Sequence, residues 1–211
     1  MDIEKIEQVA HDSMAGRQEP REREPGWLYY HGRRTARIAI WLCGELDINV
    51  DRDAVYAGAL FHDIGKGPTP HDEIGAAITR ELLKDLCTPD ELDTICDIVR
   101  NHNQREHSSS CSVAVRIVQD ADLIDHVGPI VPWLAFYWSG MHNETIHDHM
   151  RFIRGEENEH YRKRMREGLN FDVSRRIFDE RVNFEEQFFA QFHRVYMEGI
   201  WSAPSAITAR G

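Results

Sequence analysis

The stretch Ala59-Leu60-Phe61-His62-Asp63-Ile64-Gly65-Lys66-Gly67 closes an apolar run with two metal-capable side chains, then sets a lysine between glycines. An imidazole and a carboxylate at a buried helix end are costly unless paired or bound to an ion. His-Asp occurs four times, as His11-Asp12, His62-Asp63, His71-Asp72 and His147-Asp148, so the dipeptide alone carries no information. Only His62-Asp63 ends a strongly apolar segment. Two more polar residues fall on inward helical stripes, His31 one helix earlier and Asp122 three helices later. Two imidazoles and two carboxylates suit a divalent ion such as manganese, iron, cobalt, nickel or zinc, with magnesium also admitted.

The elements that must position these residues read as helices throughout. Residues 2–15 form a short first helix, and residues 16–26, with Gly16, Pro20, Pro25 and Gly26, form a surface loop. A helix from about Trp27 to Leu46 aligns Leu28, His31, Thr35, Ile38 and Leu42. The next, 52–63, starts at Asp51 or Asp53 and aligns Val55, Ala59 and His62. Thr69-Pro70 restarts a helix to about Asp85, with Thr69 as its cap and Pro70 in the first turn. Thr88-Pro89-Asp90-Glu91 is a capping box, followed by a stripe of Leu92, Ile95, Cys96 and Val99 that His102 extends. Residues 103–111 are loop-like. Helices follow at 112–125, 133–138, 144–154, 156–167 and 174–199, the last packing through Ile177, Phe184, Phe188, Phe192, Val195 and Tyr196. The fold class is all-α.

The 211 residues, 41% hydrophobic, fit one domain with a sizeable core. No apolar run is long enough for a transmembrane helix, and the acidic amphipathic N-terminus is not a signal peptide. Cys43, Cys87, Cys96 and Cys111 make no Cys-x-x-Cys pair, which points to a reduced cytoplasmic protein. A net charge of −11 argues against long nucleic acid as a partner, while a local basic pocket remains compatible with a small phosphorylated ligand.

His31, then His62-Asp63, then Asp122 within Asp120-Ala121-Asp122-Leu123-Ile124-Asp125 resembles the H…HD…D signature of the HD-domain phosphohydrolase superfamily. Trp27-x-x-x-His31-x-x-Arg34 and Val118-Gln119-Asp120-Ala121-Asp122 look like the YedJ/YpgQ type. His62-Asp63-Ile64-Gly65-Lys66 and His71-Asp72-Glu73-Ile74-Gly75-Ala76 look more like the HD domains of ribonuclease Y and cyclic-dinucleotide phosphodiesterases. The resemblance covers about 27–128 and implies an HD-domain helical bundle, with 129–211 as a helical extension of a single domain 1–211. It implies one divalent ion held by His31, His62, Asp63 and Asp122. A second ion, or the substrate, would meet His71 and His102, with His107 within reach from its loop. The implied activity is hydrolysis of a small phosphorylated substrate, a nucleotide foremost, by water activated at the metal. Lys66 is the candidate for phosphate neutralisation, Arg34 for assistance, Asp63 for orienting the water and Asp125 for supporting the ligands.

Two other readings stay open: a di-iron oxygenase on the same fold, and a regulatory module that senses a nucleotide without turnover. His142, His147 and His149 read as surface residues, and Arg162-Lys163-Arg164-Met165-Arg166 as a solvated basic face. The aromatic run Trp133–Trp138 reads as core or subunit interface, which leaves a homo-oligomer open.

Overall fold

A computed structural model of the chain describes residues 1–18 and 23–198. Pro20 of the expected loop and the expected helix end at 199 fall outside the described residues. Among the described residues ten α-helices follow one another: α1 Ile3–Met14, α2 Trp27–Glu45, α3 Arg52–Phe61, α4 His71–Leu83, α5 Pro89–Asn101, α6 Val113–Asp125, α7 Val131–Met141, α8 Ile146–Ile153, α9 Glu156–Glu167 and α10 Asp172–Glu198. A 3-10 turn, Arg105–Ser110, joins α5 to α6. There is no strand among the described residues, and no helix there is long and apolar enough to cross a membrane.

Side chains start several helices where the sequence says they should. Asp51 accepts from the Asp53 and Ala54 amides at 3.0 Å each, fixing the start of α3. At α5 the capping box is complete: the Glu91 amide donates to Thr88 Oγ1 at 3.4 Å and the Thr88 amide to Glu91 Oε2 at 2.7 Å. Thr88→Ala is therefore expected to cost about 1 kcal/mol in urea denaturation. The start of α4 differs from expectation. Thr69 does not cap it; the helix begins at His71 after an extended Pro70, without a side-chain cap, and the Thr69–Pro70 peptide is cis.

The core is layered around α3, whose residues from Ala54 to Phe61 are buried apart from Tyr56. Helix α2 lies against α3 and α6, and α5 lies against α3 and α4. The α2–α3 approach is closest at Gly32, where any Cβ would collide with the Leu60 carbonyl oxygen. Glycine is thus required between the helix that carries His31 and the one that ends in His62.

The C-terminal helices are tied to this core by buried carboxylates. Asp120 accepts from the Asn170 amide at 2.7 Å, its side-chain Nδ2 at 2.8 Å and the Phe171 amide at 3.1 Å. Glu185 accepts from the Gly128 amide at 3.2 Å and pairs with Arg162. Arg162 is accordingly not part of a solvated basic face. The buried stripe of α10 is Ser174, Phe178, Glu185 and Phe189. Of the expected stripe, Ile177, Phe188 and Phe192 pack partly buried against the core, while Phe184, Val195 and Tyr196 are exposed; the fully buried line runs through Glu185, where its two partners meet it. Trp133, Phe136 and Trp138 of α7 also remain exposed rather than joining the core. His149, expected at the surface, is buried against Phe136 and Phe189, with Nδ1 3.1 Å from Ser139 Oγ.

Candidate metal centre

Three helices end at one point. His62, His102 and His126 are the C-terminal cap residues of α3, α5 and α6. Helix C-termini carry partial negative charge, so this convergence favours a cation. His31 reaches the same place from α2, and Asp122 from α6.

His31 Nε2 lies 3.1 Å from Asp122 Oδ1 and 3.8 Å from Asp63 Oδ2. His62 Nε2 lies 3.5 Å from Asp63 Oδ2 and 3.7 Å from Asp122 Oδ1. Donor atoms about 2.0–2.2 Å from a divalent ion are spaced about 3.0–3.6 Å apart between octahedral and tetrahedral angles. The spacings lie at or slightly beyond that range, and the donor atoms of His31, His62 and Asp63 all fall within 4.8 Å of one another.

The ring orientations are fixed from behind. His62 Nδ1 donates to the Ala59 carbonyl and His102 Nδ1 to the Val99 carbonyl, each at 2.7 Å and each three residues back. His31 Nδ1 donates to Asp125 Oδ2 at 2.7 Å. With the protons on Nδ1, every Nε2 presents a lone pair to the cluster. The Nε2 atoms of His31, His62 and His102 are buried and have no hydrogen-bond partner. Buried polar atoms are rarely left so, and an ion is the partner that suits three lone pairs at once.

Charge is concentrated here. Asp63 is held well below the usual carboxylate range: burial works against it, and His62, His102, Lys66 and His31 outweigh burial. Asp122 is likewise held well below that range against the cost of burial, by His126, His31 and His62. For His31, burial opposes the charged form, but Asp122 and Asp125 prevail and raise its pKa to about 9, so an ion taking the His31 Nε2 lone pair must displace a proton shared with Asp122.

The expected residues separate into three groups. His31, His62, Asp63 and Asp122 converge, and Lys66 Nζ pairs with Asp63. His102 joins them, its Nε2 3.5 Å from Asp63 Oδ1, and a donor atom of His71 falls within 4.8 Å of donors on both Asp63 and His102. Asn103 Nδ2, however, donates to His71 Nε2 at 2.7 Å. That uses the ring's single lone pair and leaves the proton on Nδ1, so His71 can ligate only after Asn103 moves. The third group stands apart. His107 is exposed on the 3-10 turn, and Arg34 forks onto Asp125 at 2.8–3.1 Å instead of entering the cluster. Asp125 thus holds His31 on one side and Arg34 on the other. Asp125→Asn keeps an acceptor but loses the charge and the fork, so metal affinity is expected to fall about 10–100-fold in a competitive chelator titration.

Besides Trp27, residues not singled out in the sequence complete the site. His126 Nε2 lies 3.3 Å from Asp122 Oδ1, and Arg105 pairs with Asp122 Oδ2. His126 follows Asp122 by four residues, a helical spacing that was readable; Arg105 sits on a 3-10 turn that has no periodicity to betray it. Trp27 stacks on His31 with ring centres 5.4 Å apart. Arg17 crosses from the segment after α1 and donates to the Ile64 and Lys66 carbonyls at 2.5 and 2.9 Å, clamping the turn that follows Asp63.

Comparison with known proteins bears on the fold that holds these residues. Residues 28–126 match the model of the HD domain family. The chain is similar in fold to the crystal structure of an HD-superfamily hydrolase from Bacillus thuringiensis, at 20% identity and a TM-score of 0.65, covering 94% of this chain and all of that one. It is similar also to Bacillus subtilis YpgQ crystallised in complex with ADP, at 19% identity and a TM-score of 0.60, covering 93% of this chain and 95% of that one. At these identities the likeness is one of fold. No curated protein matches the sequence.

Proposed function

We propose that the chain, which matches the HD domain model across residues 28–126, is a metal-dependent phosphohydrolase acting on a small phosphorylated substrate, a nucleotide foremost. The observation that carries this reading is the set of three buried Nε2 lone pairs without partners, facing the carboxylates of Asp63 and Asp122. His31, His62, Asp63 and Asp122 would hold one divalent ion; their mixed nitrogen and oxygen donors fit manganese, iron, cobalt, nickel or zinc. When bound, such an ion supplies Lewis-acid polarisation of a phosphoryl oxygen and a lowered pKa for water.

The chain's own residues supply the rest. Lys66 pairs with Asp63 Oδ2, the oxygen that also faces His31 and His62, and Arg105 pairs with the outer Oδ2 of Asp122. They are the two cations placed to meet the charge of a phosphoryl group, which is most of what phosphoryl transfer asks of a protein. Asp63 faces three imidazoles and Lys66 and would orient the attacking water. Asp125 keeps the His31 ring in the tautomer that presents Nε2. The nucleotide preference rests on the fold-level likeness to YpgQ, which was crystallised with ADP. We read 1–211 as one domain, since Asp120 and Glu185 tie the later helices to the first six. A reducing cytoplasm fits the four cysteines, none of which is paired.

One observation keeps a second reading in view. Asp63, His71 and His102 offer donors within 4.8 Å of one another beside the first set, the arrangement a di-iron oxygenase would need. Metal analysis of the purified protein, followed by a phosphate-release screen of nucleotides with that metal restored, tests both. One ion per chain with turnover supports the hydrolase. Two irons with an oxygen-dependent product support the oxygenase. Nucleotide binding without turnover under any metal would overturn both readings in favour of a sensing module.

A further inference from the structure

A second cavity, of about 830 Å³, opens between α2, α10 and the connection from α6 to α7. Arg34, Arg37, Trp41, Arg181 and Phe184 line it, and Asp125 forms part of its wall. None of the residues proposed above as metal ligands borders it. Its size falls within the range of about 300–1,000 Å³ typical of small-molecule sites.

Its chemistry is unlike the rest of the surface. Three guanidiniums face it against only two carboxylates, Asp125 and Glu180, in a chain of net charge −11. Asp125 is already committed to Arg34 and His31. Arg181 donates to the Ile124 carbonyl at 2.9 Å, which leaves its charge unbalanced. Burial and the nearby Arg34 push the Arg181 pKa down against the opposing pull of Asp125. Arg37 has no ion pair among the described residues. Beside these cations, Trp41 and Phe184 leave 41% and 45% of their surface uncovered, from two different helices and toward the same space. Paired cations next to bare rings match a ligand that is charged at one end and flat and apolar at the other.

We propose that this cavity is a ligand site for a small organic anion with an aromatic body, its anionic group on Arg37 and Arg181 and its ring against Trp41 and Phe184. The site is independent of the hydrolase reading.

The test is calorimetric titration of the full chain with 8-anilinonaphthalene-1-sulfonate and with its uncharged analogue N-phenyl-1-naphthylamine. The sulfonate is expected to bind once per chain, and the uncharged analogue at least about tenfold more weakly. Arg37→Glu, at an exposed position, is expected to weaken the sulfonate by about tenfold or more with unchanged circular dichroism. Trp41→Ala is expected to weaken both probes. Equal affinity for the two probes would overturn the proposal. So would a sulfonate titration that neither substitution changes, since that would place the probe on the exposed aromatic face of α7.

Discussion

Asp63→Ala is expected to abolish metal binding and turnover together while leaving the helical circular dichroism spectrum in place. Asp63 faces three of the imidazoles and the lysine of the centre. It faces His31 at 3.8 Å, His62 at 3.5 Å and His102 at 3.5 Å, and it pairs with Lys66. Loss of an outer partner of a metal ligand costs about 10–100-fold, so loss of Asp63 itself should exceed about 100-fold in metal affinity and in kcat/KM. The fold should survive because the removed carboxylate packs against polar groups, and Lys66 can turn to water. Calorimetry adds a readout independent of activity. A metal at 100 times its Kd stabilises the folded state by about 2.7 kcal/mol. Adding metal should therefore raise the melting temperature of the native protein and leave that of the variant where it was. A variant that still hydrolyses substrate after chelation would exclude the proposed role of Asp63.

Gly32→Ala should produce a large loss of stability from a single methyl group. The new Cβ meets a backbone carbonyl, that of Leu60, and no side-chain rotation relieves it. Helices α2 and α3 must separate, at about 1–3 kcal/mol for overpacking of this kind. In a protein of this size each kcal/mol lowers the melting temperature by roughly 2–4 °C. The same separation pulls His31 from His62, since Gly32 follows the first and Leu60 precedes the second by two residues. Reduced metal affinity should accompany the lower melting temperature. A stability loss with unchanged metal affinity would show that the two ligand helices adjust independently of this contact.

The helices were legible because their signals are local. Apolar spacing located α2, α3 and α5, and the Thr88 capping box marked the start of α5 to the residue. The gathering of His31, His62, Asp63 and Asp122 followed from the stripes they occupy. What the sequence hid was pairing across long separations. Arg34 lies three residues beyond His31 and looked like part of the same pocket; its partner is Asp125, 91 residues away, and that pairing faces it toward another cavity. In α10 two apolar stripes overlap. Periodicity favours the one through Phe184, but Glu185 is buried because Arg162 and the Gly128 amide satisfy it, so the fully buried line is the other one. Arg105 had no local signal, because its position depends on the path of a 3-10 turn. The start of α4 was misplaced for a related reason: the cap expected of Thr69 depends on backbone that Pro70 leaves extended.

Arg17 bears on how much of this chain can be excised and still work. The segment matched by the family begins at residue 28 and contains all the residues proposed as ligands. The clamp on the Ile64 and Lys66 carbonyls comes from Arg17, eleven residues upstream of that boundary. A fragment trimmed to the recognised segment would keep every donor atom but lose the hold on the turn that presents Lys66. The smallest portable catalytic piece therefore includes α1 and the segment that follows it, and sequence similarity alone would place the cut on the wrong side of the site.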